Sequence, residues 1–143
     1  MKVLQDETAT VAAGAALGQA LIERYDGSAL VFLLGNLGAG KTTFARGLIQ
    51  GFGHSGAVKS PTYTLLEPYE LEQGVVYHFD LYRISDPQEL EFVGIDEIID
   101  GSGIKLFEWP ERATDWLPDP DVTVELEVNE YAPNARNLTI VYR

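Results

Sequence analysis

The sequence predicts a three-layer α/β domain with a mixed sheet and a C-terminal antiparallel strand pair. Three observations carry this reading. An apolar strand, a glycine-rich loop and a helix follow one another between Ala29 and Gln50. Two further apolar runs, Val75 to Asp80 and Ile104 to Phe107, alternate with helical stretches, as in a sheet covered on both faces. From Val122 onward the apolar residues recur at every second position, the mark of half-buried antiparallel strands.

Each element has a local reason. Thr8 to Tyr25 is rich in helix formers, with Val11, Ala15, Leu17, Leu21 and Ile22 near helical spacing. Asp6 or Thr8 caps it, and Asp26-Gly27 ends it. Ala29 to Leu34 has no polar residue and reads as a fully buried strand. Lys41 to Gln50 is a helix closed by Gly51-Phe52-Gly53. A loop follows to Lys59, and Thr62 to Leu71 contains an extended segment. Val75 to Asp80 is the second buried strand. Asp86-Pro87 opens a helix, because proline is favoured at an early helical position. Ile104 to Phe107 is the third buried strand, and Pro110 starts a short helix ending near Leu117-Pro118. In the tail, Val122, Val124, Leu126 and Val128 alternate with polar residues, and Leu138, Ile140 and Tyr142 repeat the pattern.

The 143 residues fit one domain, 1–143, with enough chain to bury a core. The longest apolar run is too short to span a bilayer, and the first residues lack the basic start and apolar stretch of a signal peptide. No cysteine is present, so disulfides, thiol nucleophiles and cysteine-ligated zinc are excluded. His54 and His78 are the only histidines and lie far apart, which argues against a histidine-rich metal site. Ten basic residues against 22 acidic ones give a formal charge of −12. Nucleic-acid binding depends on neutralising phosphates with Lys and Arg. Any contact with RNA is therefore expected to be indirect, through a partner.

Gly35-Asn36-Leu37-Gly38-Ala39-Gly40-Lys41-Thr42 matches the P-loop pattern without gaps, with a strand before it and a helix after it. A loop that wraps phosphates must bring backbone N–H groups close to the anion, and Gly35, Gly38 and Gly40 permit that approach. Lys41 supplies charge to the β- and γ-phosphates, and Thr42 a hydroxyl to Mg²⁺. The helix N-terminus faces the same anion. The expected ligand is a Mg²⁺–nucleoside triphosphate, and the expected fold type is that of P-loop NTPases.

The site also needs carboxylates, normally at the ends of apolar strands. Asp80 and Glu108 are the two candidates, and the carboxyl edge of a parallel sheet brings both beside the loop. Asp80 is assigned to Mg²⁺, directly or through water. Glu108 is assigned to the attacking water and joins Thr42 and Asp80 in the candidate metal set; Glu108 and Lys41 are the candidate catalytic residues. Thr62, in Ser60-Pro61-Thr62-Tyr63-Thr64, is a candidate switch residue, because the connection after a P-loop helix can reach the γ-phosphate.

These residues together resemble the bacterial TsaE (YjeE) family, the ATPase component of the machinery for threonylcarbamoyladenosine on tRNA. The resemblance rests on the P-loop through Thr43, Ser60-Pro61-Thr62-Tyr63, His78-Phe79-Asp80-Leu81-Tyr82-Arg83 and Glu108-Trp109-Pro110-Glu111-Arg112, in that order. It implies a cytoplasmic ATPase that works with TsaD and TsaB. From the residues themselves, ATP and Mg²⁺ are the expected cofactors, hydrolysis is expected to be slow alone, tRNA is expected to be met only indirectly, and no membrane role is expected. The resemblance also implies that Thr43 and Trp109 join Gly38, Ala39, Gly40, Lys41 and Thr42 of the loop in binding the nucleotide. Arg83 and Arg112 stay open between phosphate, partner and surface carboxylates. Two rivals are a small-molecule kinase, which needs a basic lid that the sequence does not show, and a guanine-specific switch, which needs an N-K-x-D segment that is absent. A third is a nucleotide-dependent assembly factor whose hydrolysis is incidental.

Overall fold

A computed structural model describes residues 1–58, 61 and 64–143. The chain runs β1 (Lys2–Leu4), α1 (Glu7–Tyr25), β2 (Ala29–Leu34), α2 (Lys41–Gly51), β3 (Leu66–Leu71), β4 (Gly74–Asp80), α3 (Glu89–Phe92), α4 (Ile95–Asp100) and β5 (Ile104–Glu108). A 3₁₀ segment, Pro110–Trp116, and the strands β6 (Val122–Val128) and β7 (Arg136–Tyr142) complete it. The strands form one mixed sheet in the order β1-β7-β6-β2-β5-β4-β3.

The four central strands, β6, β2, β5 and β4, are parallel to one another. A central strand of a parallel sheet is buried on both faces, which explains the unbroken apolar run of β2. Its alternate side chains go to opposite layers. Ala29, Val31 and Leu33 pack in one core with α1 and α2. Leu30 packs in the other with Phe79, Phe107, Leu90 and Ile95. The Phe79 and Phe107 rings stack there with centroids 4.2 Å apart. The expected three-layer architecture and C-terminal antiparallel pair are thus present.

Local chemistry sets the boundaries. Asp6 caps α1, its carboxylate accepting from the Ala9 N–H at 2.9 Å, and Asp26 ends it in the left-handed region at φ 55°. α1 and α2 cross with backbones almost touching. A Cβ on Gly47 would lie 2.0 Å from the Val11 carbonyl oxygen, and one on Gly14 would lie 2.1 Å from that of Phe44. Only glycine fits at either crossing point, so α2 is held tightly against α1.

Three features differ from expectation. β1 was not expected and adds to β7 antiparallel. The segment before β4 forms a full antiparallel partner, β3, through a tight hairpin. The helix expected from Asp86-Pro87 starts instead at Glu89 and is split by Gly94 at φ 75°. Asp86 and Pro87 form the preceding turn. The Glu89 carboxylate accepts from the Ser85 and Asp86 backbone N–H groups, and these bonds hold it below the usual carboxylate range. The outer strands β1 and β3 form the two sheet edges; β1 has three residues, and β3 carries Pro68 between Glu67 and Glu70. Among the described residues no helix is long and apolar enough to cross a membrane.

Candidate functional site

The loop between β2 and α2 is tied down by its own backbone and by the far end of the chain. A Cβ on Gly35 would sit 2.5 Å from the Leu126 carbonyl oxygen, so the loop leaves the sheet pressed against β6. Gly40 precedes α2 at φ 100°, a conformation that L side chains rarely adopt. Within the loop the Ala39 N–H donates to the Asn36 carbonyl at 3.0 Å.

Lys41, the first residue of α2, is 5% exposed. Its Nζ donates to the Gly35 carbonyl at 2.6 Å and lies 3.4 Å from the centroid of the Trp109 ring. Burial pushes its pKa below the ordinary lysine value, and the carboxylates of Glu108, Glu111 and Asp80 oppose that shift. An ammonium has three donors, and a desolvated one favours a compact anion.

The carboxylates stand across one gap. β4 and β5 are parallel, and their register sets Asp80 opposite Glu108 at the carboxyl edge. The Thr42 hydroxyl donates to Glu108, with its oxygen 3.1 Å from Oε1 and 3.2 Å from Oε2. Asp80 Oδ1 accepts from the Tyr82 N–H at 3.0 Å. Trp109, at φ 59°, turns the chain out of β5 into the 3₁₀ segment and sets its ring 4.9 Å from that of Tyr82.

One cleft of about 570 Å³ unites these groups. Gly38, Gly40, Lys41, Thr42, Thr43, Asp80, Glu108 and Trp109, all expected from the sequence, line it. Ala39 is buried behind the loop. Arg83 lines the cleft, whereas the Arg112 guanidinium lies over the Tyr82 ring at 5.3 Å. Thr62 lies outside the described residues. A hydroxyl with two carboxylates is an all-oxygen donor set, which fits Mg²⁺, and the cleft volume suits a nucleotide.

Two residues were not foreseen. Arg136, the first residue of β7, reaches back to the loop. Its Nε donates to the Ala39 carbonyl at 3.0 Å and its Nη2 to that of Gly38 at 3.3 Å. Its Nη1 donates to the Pro133 and Ala135 carbonyls, each at 2.9 Å. No local motif marks Arg136, because the contact exists only once β6 lies beside β2. His78 is the second, with Nε2 2.7 Å from Glu108 Oε2. Its signal was the period of two, since His78 and Asp80 share one face of β4.

The family model described as "Threonylcarbamoyl adenosine biosynthesis protein TsaE" matches residues 4–138. The tRNA threonylcarbamoyladenosine biosynthesis protein TsaE of Haemophilus influenzae is 43% identical over 139 residues, which cover 96% of this chain and 86% of that protein. The protein of the same name from Treponema pallidum is 36% identical over 127 residues, 89% of each chain. The crystal structure of YdiB from Bacillus subtilis matches with a TM-score of 0.73 at 27% identity, covering 99% of this chain and 83% of that one. With the P-loop, the paired carboxylates and a match over most of the chain in agreement, the chain belongs to the TsaE family of threonylcarbamoyl adenosine biosynthesis proteins.

Proposed function

We propose that the chain is the Mg²⁺-dependent ATP-binding and ATP-hydrolysing component of the machinery that forms threonylcarbamoyladenosine at adenosine 37 of tRNA, acting in the cytoplasm with TsaD and TsaB. One observation supports this above the others: Lys41, Thr42 and Glu108 converge on a single cleft, with Thr42 already bonded to Glu108. Lys41 meets the β- and γ-phosphates by leaving the Gly35 carbonyl. Thr42 and Glu108 meet the cation together, and Asp80 supports it directly or through water. Mg²⁺, when bound, neutralises phosphate charge. Glu108 also orients the attacking water. Gly38, Ala39, Gly40 and Thr43 contribute the remaining phosphate contacts, and Trp109 covers the Lys41 side of the cleft.

ATP is favoured over GTP, since no guanine-reading N-K-x-D segment is present. The charge of −12 opposes direct tRNA binding, which supports RNA recognition by the partners. Calorimetric titration with Mg²⁺–ATP tests the reading. Lys41→Ala removes charge-assisted bonds worth roughly 1.5–3 kcal/mol each, so affinity should fall by at least about tenfold. Unchanged affinity, or tighter binding of GTP than of ATP, overturns the assignment.

A further inference from the structure

His78 contributes no group to the proposed nucleotide contacts, yet it is completely buried and touches the site. Its relative exposure is 0%, and it lies two residues before Asp80 on the same face of β4. Nε2 is 2.7 Å from Glu108 Oε2. Nδ1 is buried with no hydrogen-bond partner among the described residues. Buried polar atoms are nearly always paired. A phenylalanine or leucine would fill the same space and leave no orphan, so packing alone is a poor reason for an imidazole here.

The tautomer with its proton on Nε2 satisfies the contact, because Nε2–H donates to the carboxylate and Nδ1 keeps only a lone pair. Glu108 then accepts from two sides. His78 takes Oε2 from within the sheet, while the Thr42 hydroxyl lies 3.1 Å from Oε1 and 3.2 Å from Oε2. A glutamate side chain has three torsions, and this pair of donors fixes where its carboxylate ends. Without His78, the buried carboxylate loses one donor and the freedom to turn from Thr42 returns.

We propose that His78 is a positioning residue that holds the Glu108 carboxylate against Thr42 in the geometry the cation requires. The inference rests on the Mg²⁺–nucleotide reading of the cleft. It predicts a graded response to the donor, not to side-chain volume. His78→Gln returns an N–H near the Nε2 position, whereas His78→Met fills the space without a donor.

Calorimetry with ATP across a Mg²⁺ series, and with ATP in excess chelator, separates the terms. His78→Met should bind metal-free ATP like the parent, while its Mg²⁺-dependent gain in affinity falls by about tenfold to a hundredfold, the usual cost of losing an outer-shell partner. His78→Gln should recover most of that gain. A space-filling role predicts the opposite order, since methionine suits an apolar site better than an amide. The proposal is overturned if His78→Met keeps the parental Mg²⁺ dependence, or if His78→Gln is no better than His78→Met. If His78→Met does not fold by circular dichroism, imidazole ¹⁵N spectra of the unaltered protein decide. They should show His78 protonated on Nε2 and bare at Nδ1, with resonances displaced by Glu108→Gln; a ring protonated on Nδ1 alone overturns the proposal. A parent with no Mg²⁺-dependent ATP binding sinks the functional reading instead, and the same spectra still judge the His78–Glu108 pair.

Discussion

Replacing Gly47 by alanine separates two physical expectations of opposite sign. Gly47 lies inside α2, where intrinsic helix propensity alone favours alanine by about 1 kcal/mol. The structure opposes that. The added methyl would meet the Val11 carbonyl oxygen at 2.0 Å, the Val11 carbonyl carbon at 2.8 Å and its Cα at 3.0 Å. These are backbone atoms of α1 and cannot rotate away. Relief requires the helices to part by about 1 Å along a well-packed interface, and overpacking of that kind costs roughly 1–3 kcal/mol or more. With a rigid obstacle the upper end applies, so Gly47→Ala should be destabilised by about 2 kcal/mol after the propensity gain. With a urea slope of about 2 kcal/mol per molar, the unfolding midpoint should fall by about 1 M. The same displacement moves the start of α2, so ATP affinity should weaken as well. A midpoint at or above the parental one would show that α1 and α2 are not locked together at this crossing.

Other perturbations probe the site and the core. The Ala39 carbonyl and the Gly40 N–H belong to one planar peptide and point opposite ways, so Arg136 bonded to that carbonyl aims the Gly40 N–H away from itself. Arg136→Met should therefore lower ATP affinity by about tenfold, with Arg136→Lys between it and the parent; equal affinities across the three would refute the role. Glu108→Gln should slow single-turnover hydrolysis more than it weakens ATP binding, while Asp80→Asn should damage Mg²⁺-dependent binding and turnover together. Parental hydrolysis by Glu108→Gln, with TsaB and TsaD present and absent, removes Glu108 from the chemistry. Lys105 is 4% exposed, its Nζ donates to the Gly101 carbonyl, and burial holds its pKa below the lysine value of 10.5 against the pull of Asp121 and Asp100. The folded state therefore binds fewer protons than the unfolded state between the lowered value and 10.5, and stability rises with pH across that window. Lys105→Met should be more stable near pH 7 and should lose part of the alkaline rise, leaving the share that Lys41 contributes in the same direction; denaturation curves at pH 7 and about pH 10 check this.

What the sequence made legible follows from how local each signal was. The P-loop was readable because strand, loop and helix are consecutive and its glycines, lysine and threonine stand at fixed spacing in one short segment. Asp80 and Glu108 were readable because each ends an apolar strand, and a parallel register then sets them side by side. β1 was not, since three residues give no alternation to detect and their partner lies at the opposite end of the chain. β3 was blurred by Pro68, which demotes a strand everywhere except at an edge. The split of α3 from α4 turns on Gly94 alone, against an otherwise continuous helical spacing. Arg136 is separated from Ala39 by 97 positions, and only the strand order makes them neighbours.

The outer strands carry a consequence for how copies of the chain meet one another. An open edge offers unpaired N–H and C=O groups as a template for another chain, and a long, flat apolar edge invites stacking into fibrils. Neither edge here is such a template. β1 ends after three residues and begins with Lys2. In β3, Pro68 has no N–H to give, and the glutamates on either side set a negative charge against any identical strand that approaches. With −12 on each molecule, that repulsion extends over the whole surface. Concentrated protein should therefore resist ordered self-association, and the glutamate-flanked proline of β3 is where a change to apolar residues would first undo that protection.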